Sequence, residues 1–291
     1  MLYHEAKEIR IDQLARKGNL TDNIYIAFDL ESTGIHKYTG NQRSLEITLD
    51  YRMRQQMIDG YADEIKKKNP DITKKDLNAQ AYKKYKELMS KKPVVQIAEV
   101  AAIVFNADGK ILGKFHQYVK FDKNLCSPNI LKLISRNKTK EAKAKEPSVV
   151  LSSFSNFLSR FPDAILIAHN YPYDGSLLVN TAKALKINSL VSKMKNVRFI
   201  DTRKQNKIRD YFKGLFAQAK YTNKKGDTFE DNSLAATVKA LYLTNAKAHT
   251  AIEDTKVLMK AFLKLLSLAE VIAKPNKFIT IKKDQKDEGT M

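Results

Sequence analysis

The 291-residue chain carries 52 Lys and Arg against 32 Asp and Glu, a formal net charge of +20, on a 43% hydrophobic composition. That apolar content supplies a sizeable core and excludes disorder throughout. No run approaches the roughly 18 apolar residues of a membrane span and no basic-then-apolar signal opens the chain, so a soluble cytoplasmic or otherwise intracellular protein is expected.

The single cysteine, Cys126, excludes an intrachain disulfide or a thiolate metal cluster. Any metal is then held through oxygen or nitrogen, which suits hard cations such as Mg²⁺ or Mn²⁺. The excess of positive charge favours a polyanionic partner, nucleic acid ahead of an acidic membrane surface or an acidic protein.

Along the chain, Ile24 to Leu30 is a short apolar run that predicts a strand, with Asp29 and Glu31 sharing one face because side chains two apart do so. Residues 40–92 follow as a helical insertion: Leu77, Ala81, Tyr85 and Leu88 recur at helical spacing, and Pro70 and Pro93 punctuate the ends. Its residues 51–92 hold twelve Lys and Arg against six Asp and Glu, a net of +6, with Tyr61, Tyr82 and Tyr85 interspersed. A solvated face over a small local core and a clamp for nucleic acid or a partner both fit that pattern. VVQIAEVAAIVF then reads as a strand from Val94, NADG as a tight turn and KILGKFHQYVKF as the returning strand, which completes a three-stranded antiparallel opening.

Past the basic loop RNKTKEAKAKEP, SVVLSSFSNFLSRF has the spacing of an amphipathic helix with Val150, Phe154, Phe157, Leu158 and Phe161 inward. The strand DAILIAH, the turn NYPYD, a helix to about Leu185, the short strand NVRFID and the basic stretch RKQNKIRDYFKGLFAQAKYTNKKG come next. The helix SLAATVKALYL, a long helix from Ile252 to about Val271 and a polar tail over 274–291 complete the chain, with no internal repeat. Helices alternating with strands after a hairpin predict one α/β domain over 1–291 around a mixed sheet.

The long helix aims a carboxylate at the core. Leu258, Ala261, Phe262, Leu265, Leu266 and Ala269 form its apolar stripe, and Asp254, four residues before Leu258, lies on the same face. Thr250 to Glu253 fits a capping box, which sets His249 just outside the helix. Asp174 lies on the face continued by Leu178, Ala182 and Leu185, directly after His169-Asn170-Tyr171-Pro172-Tyr173. Four carboxylates gathered in one place repel one another until a cation intervenes. Divalent metal resolves the conflict, and a nearby histidine with an ordinary pKa near neutrality suits a general base. Each fragment alone has a plain reading: a solvent-facing pair, a loop with an N-cap Asp, a capped helix. Their joint occurrence carries the argument.

FDLESTG, AHNYPYD and HTAIED, in that order on strand, strand-to-helix turn and helix, resemble the three motifs of the DEDDh 3′-to-5′ exonucleases, the DnaQ-like group that includes the polymerase III ε proofreading subunit and RNase T. The resemblance runs from about Ile24 to Leu266. It implies an RNase H-like mixed five-stranded sheet flanked by helices, with the helical insertion between the first and second strands. It further implies two Mg²⁺ or Mn²⁺ ions on Asp29, Glu31, Asp174 and Asp254, His249 as base, and Leu30, Ser32, Thr33 and Asn170 beside the substrate. Tyr173 stands where Phe is usual, and Thr255 where a small residue is common. The implied activity is hydrolytic release of nucleoside 5′-monophosphates from a free 3′ end, DNA favoured. An exoribonuclease of RNA turnover, and a nucleic-acid-binding or polymerase-associated module with a secondary nuclease site, stand as alternatives. A polymerase or other replication partner, and a cellular or a phage or virus source, fit equally well.

Overall fold

A computed structural model describes residues 6–18, 22–34, 36–39, 42–47, 51–91, 94–134, 138–217, 220–222, 228–243 and 250–274. In chain order the strands are β1 (Lys7–Glu8), β2 (Ile24–Ser32), β3 (His36–Thr39), β4 (Gln42–Ile47), β5 (Ile97–Asn106), β6 (Ile111–Tyr118), β7 (Ile165–Ala168), β8 (Arg198–Asp201), β9 (Lys220–Thr222) and β10 (Thr228–Glu230). The helices are α1 (Ile11–Arg16), α2 (Tyr51–Lys68), α3 (Lys74–Ser90), α4 (Pro128–Leu133), α5 (Lys138–Lys143), α6 (Pro147–Ser159), α7 (Tyr171–Ala184), α8 (Asn188–Asn196), α9 (Asn206–Tyr211), α10 (Lys213–Phe216), α11 (Leu234–Ala240) and α12 (Ala251–Ala273). None of the described helices is long and apolar enough to cross a membrane.

The central sheet runs β1-β8-β7-β2-β5-β6, with β2, β5 and β6 antiparallel and β7, β8 and β1 added in parallel. It is the expected mixed sheet flanked by helices, with six strands where five were expected. The extra one, β1, pairs with β8 through Lys7 and Glu8 alone. Two residues are too few to show a strand's period of two.

The strand period divides the core in two. Ile26, Phe28 and Leu30 of β2, with Val100, Ala102 and Val104 of β5, pack against Phe154 of α6, Leu177 of α7 and Leu190 of α8. On the other face, Tyr25, Ala27, Ile103 and Phe105 meet Ile11 of α1 and Leu258, Phe262 and Leu265 of α12. Phe262 lies 4.8 Å from Tyr25 and 5.9 Å from Phe105, ring centroid to ring centroid. Burying side chains of this size removes about 1.5–3 kcal/mol of unfavourable hydration each, which holds α12 to the sheet.

The segment between β2 and β5 is helical only in its second part. His36–Thr39 and Gln42–Ile47 pair antiparallel as β3 and β4, and α2 and α3 follow. Short polar strands such as QRSLEI lack the alternation that announces a half-buried strand. Thr73 caps α3 by accepting from the Asp76 N–H at 3.2 Å, and Met57, Tyr85 and Leu88 form a small core between the two helices. Gly60 lets α2 approach α4, since a Cβ there would come within 2.6 Å of the Asn129 carboxamide, which donates to the Gln56 carbonyl.

Helix α8 was not anticipated. Only Leu190 and Met194 of its nine residues are buried, too few to outline an apolar face. The basic stretch after β8 contains the short helices α9 and α10, and α11 stops at Ala240, ahead of Tyr242 at φ 54°.

Candidate active site

Asp29 and Glu31 continue the odd-numbered series Tyr25, Ala27 along β2, so they stand on the α12 side of the sheet. The pairing of β2 with β7 ends at Ala27 against Ile167, while that with β5 continues to Ser32. The carboxylates therefore project beyond the end of β7, where the parallel half of the sheet stops.

Helix α12 delivers Asp254 to the same place. Thr250 is its N-cap, accepting from the Glu253 N–H at 3.4 Å, which sets Asp254 in the first turn. Carboxylate oxygens of Asp29, Glu31 and Asp254 all lie within 4.8 Å of one another.

Asp174 arrives from the opposite layer. It is buried in the first turn of α7 and reaches around the strand end, where its carboxylate accepts from the Leu30 backbone N–H and from its own. Leu30 itself turns its side chain into the α6–α8 core.

Burial and mutual repulsion govern the protonation of this group. Asp29 is pushed well above the usual carboxylate range by desolvation first, then by Asp174, Glu31, Asp254 and Glu99. Glu31 is pushed up to about 7 by desolvation, Asp254 and Glu99, with Lys140 of α5 opposing. Asp174 is raised by desolvation, against the two N–H donors. An all-oxygen set of crowded carboxylates fits a hard divalent cation, which relieves both desolvation and repulsion while the carboxylates stay ionised.

The remaining expected site residues are Ser32, Thr33, Asn170 and His249. Ser32 Oγ lies 2.6 Å from Tyr173 Oη and 3.0 Å from the Gly34 carbonyl. Thr33 is buried in a reciprocal clamp: its N–H donates to the Gln96 carbonyl at 2.9 Å and its Oγ1 accepts from the Gln96 N–H at 2.8 Å. Asn170, in the left-handed region at φ 73°, donates its N–H to Asp201 Oδ1 at 2.9 Å and lines a cleft of about 580 Å³ with His169, Arg203 and residues 230–234. His249 lies outside the described residues.

Two features escaped the sequence reading. His169 holds Thr202 Oγ1 at 3.0 Å and donates to the Asn232 carbonyl at 2.8 Å, and burial pushes its pKa down to about 4, so it serves as a neutral tie between β7 and the approach to α11. Glu99 of β5, 2% exposed, faces Glu31 across the strand pair and bonds His116. A lone carboxylate inside VVQIAEVAAIVF was the signal that could have found it.

No curated protein sequence matches the chain. A product-bound structure of exonuclease I superposes with a TM-score of 0.50 at 12% identity, covering 86% of this chain and 46% of that one. E. coli exonuclease I with a dA16 oligonucleotide gives 0.46 at 12% identity, covering 87% and 41%. The chain thus spans less than half the length of the structures it matches, and at this identity the likeness is one of fold. The family model described as Exonuclease (RNase_T) matches residues 26–262, a span that takes in all four carboxylates, and the chain belongs to that exonuclease family.

Proposed function

We propose that this chain is a divalent-metal-dependent 3′-to-5′ exonuclease that releases nucleoside 5′-monophosphates, with DNA the favoured substrate. The observation that carries the proposal is the meeting of Asp29 and Glu31 from β2 with Asp254 from α12 inside 4.8 Å, with the charge of Asp174 from α7 acting on Asp29. Asp29, Glu31, Asp174 and Asp254 hold two Mg²⁺ or Mn²⁺ ions. When bound, such ions supply Lewis-acid stabilisation of the charge that develops at phosphorus.

The chain's own groups do the rest. His249 immediately precedes the N-cap Thr250 and takes the proton from the attacking water, an ordinary task for imidazole near neutral pH. Asp201, fully buried, fixes the start of α7 by accepting from the N–H groups of Asn170 at 2.9 Å and Arg203 at 3.0 Å, and so positions Asp174. The net charge of +20 draws the polyanion in, and the α2–α3 pair, in the chain segment between β2 and β5, contributes exposed Lys66, Lys67, Lys74, Lys75, Lys83 and Lys86.

The test is digestion of end-labelled single- and double-stranded DNA and RNA with Mg²⁺, wild type beside Asp29→Ala and Asp254→Ala. Stepwise shortening from the 3′ end by wild type alone is expected. Full activity in either variant, or shortening from the 5′ end, overturns the reading.

A further inference from the structure

The registers of β2, β5 and β6 place two rows of side chains on the α12 face: Asp29, Ala101 and His116 in one, Glu31, Glu99 and Tyr118 in the next. Glu99 is thus a fifth carboxylate at the site. It lies outside the trio whose oxygens converge within 4.8 Å, yet its charge bears on both Asp29 and Glu31. His116 Nε2 lies 2.8 Å from Glu99 Oε1, and the His116 ring stands edge-on to Tyr118 with centroids 4.9 Å apart.

Like charges directly opposite in a sheet destabilise it, and burial adds a desolvation penalty. Folding alone gives no reason for the arrangement, since the neighbouring β5 positions are Ala98, Val100, Ala101 and Ala102, all buried and apolar. A buried carboxylate beside a ligand set instead strengthens the negative field there, and groups just outside the ligands bear strongly on metal affinity.

We propose that Glu99, anchored by His116, supports the metal site through its charge: it deepens the negative potential that retains the divalent ion, without being a ligand. The inference rests on the metal-site reading above. Glu99→Gln tests it well, because the glutamine oxygen still accepts from His116 Nε2–H. A role confined to closing the sheet survives that change; a role through charge does not.

The measurement is calorimetric titration of Mn²⁺ into the metal-free full chain, with thermal unfolding in chelator alongside. Glu99→Gln is expected to weaken Mn²⁺ binding by about 10- to 100-fold while the metal-free midpoint holds or rises. His116→Phe, at a ring that is 30% exposed, leaves Glu99 unanchored and weakens binding in the same direction. Wild-type affinity in Glu99→Gln overturns the proposal, as does a loss of affinity that only parallels a fall in the midpoint. Should Glu99→Gln not fold, unchanged affinity in His116→Phe overturns it. A wild-type chain that binds no Mn²⁺ overturns the metal-site reading itself and this inference with it; a wild type that binds beside an unaffected Glu99→Gln overturns the inference alone.

Discussion

Tyr173 Oη and Ser32 Oγ stand 2.6 Å apart, and Tyr173 Oη also donates to the Gly34 carbonyl at 2.5 Å. This contact joins the first turn of α7, which carries Asp174, to the end of the strand that carries Asp29 and Glu31. Tyr173→Phe keeps the ring and deletes the bridge. A loss of about 0.5–1.5 kcal/mol in chemical denaturation is expected, the net worth of one such hydrogen bond, with a smaller fall in nuclease activity than Asp174→Asn produces. Unaltered stability would show that the hydroxyl holds nothing.

The carboxylate cluster sets a pH dependence in the metal-free protein. Glu31 has its pKa raised from 4.5 to about 7. The folded state therefore holds this proton more tightly than the unfolded chain. Its contribution is fully present below pH 4.5 and is lost as pH rises through about 7. At most about 3 kcal/mol is involved, at 1.36 kcal/mol for each pKa unit. His169, lowered to about 4 from 6.5, works the other way: its contribution is present above pH 6.5 and is lost as pH falls through about 4. Comparing wild type with Glu31→Gln in chelator removes the shared histidine effect. The variant should gain stability relative to wild type as pH rises from 4.5 to above 7, and a constant difference would contradict the assignment.

His249 should act on the chemistry and little on metal capture. Replacing it with Ala is expected to slow single-turnover release by roughly two to four orders of magnitude, with Mn²⁺ affinity near that of wild type. A variant that loses Mn²⁺ binding instead would make the histidine a ligand.

Helices α2 and α3 are expected to follow the substrate backbone. Arg54 sits 5.5 Å from the ring centroids of both Tyr82 and Tyr85 and donates to Tyr82 Oη at 3.2 Å, so part of the aromatic surface is already held by a cation. The exposed lysines then supply most of the contact. Lys83→Ala and Lys86→Ala should each flatten the slope of log K against log salt by about 0.7 for a single-stranded oligonucleotide. Parallel slopes in wild type and the double variant would remove this surface from the binding path.

Much of the site could be read along the chain because its signals are local. The step of two from Asp29 to Glu31, the step of four from Asp254 to Leu258 and the Thr250–Glu253 cap each lie within one element, where backbone geometry alone sets which side chains share a face. The β3–β4 hairpin and α8 were missed for the converse reason. Their polar composition lets neighbouring elements decide their conformation, and propensity is a weak guide there.

By itself, then, the sequence determined the order of β2, β5, β6, α6, β7, α7, β8, α11 and α12 and the faces on which Asp29, Glu31, Asp174 and Asp254 lie. Tertiary structure decided who meets whom. The registers of β5 on β2 and β6 on β5 bring Glu99 opposite Glu31 and into reach of His116, and the early end of β7 lets Asp174 reach the Leu30 N–H from the other layer. The pairing of β2 with β5 and the layer order arise from hydrogen bonds and packing between segments far apart in the chain, whereas the β5–β6 register follows from the tight turn that joins the two strands.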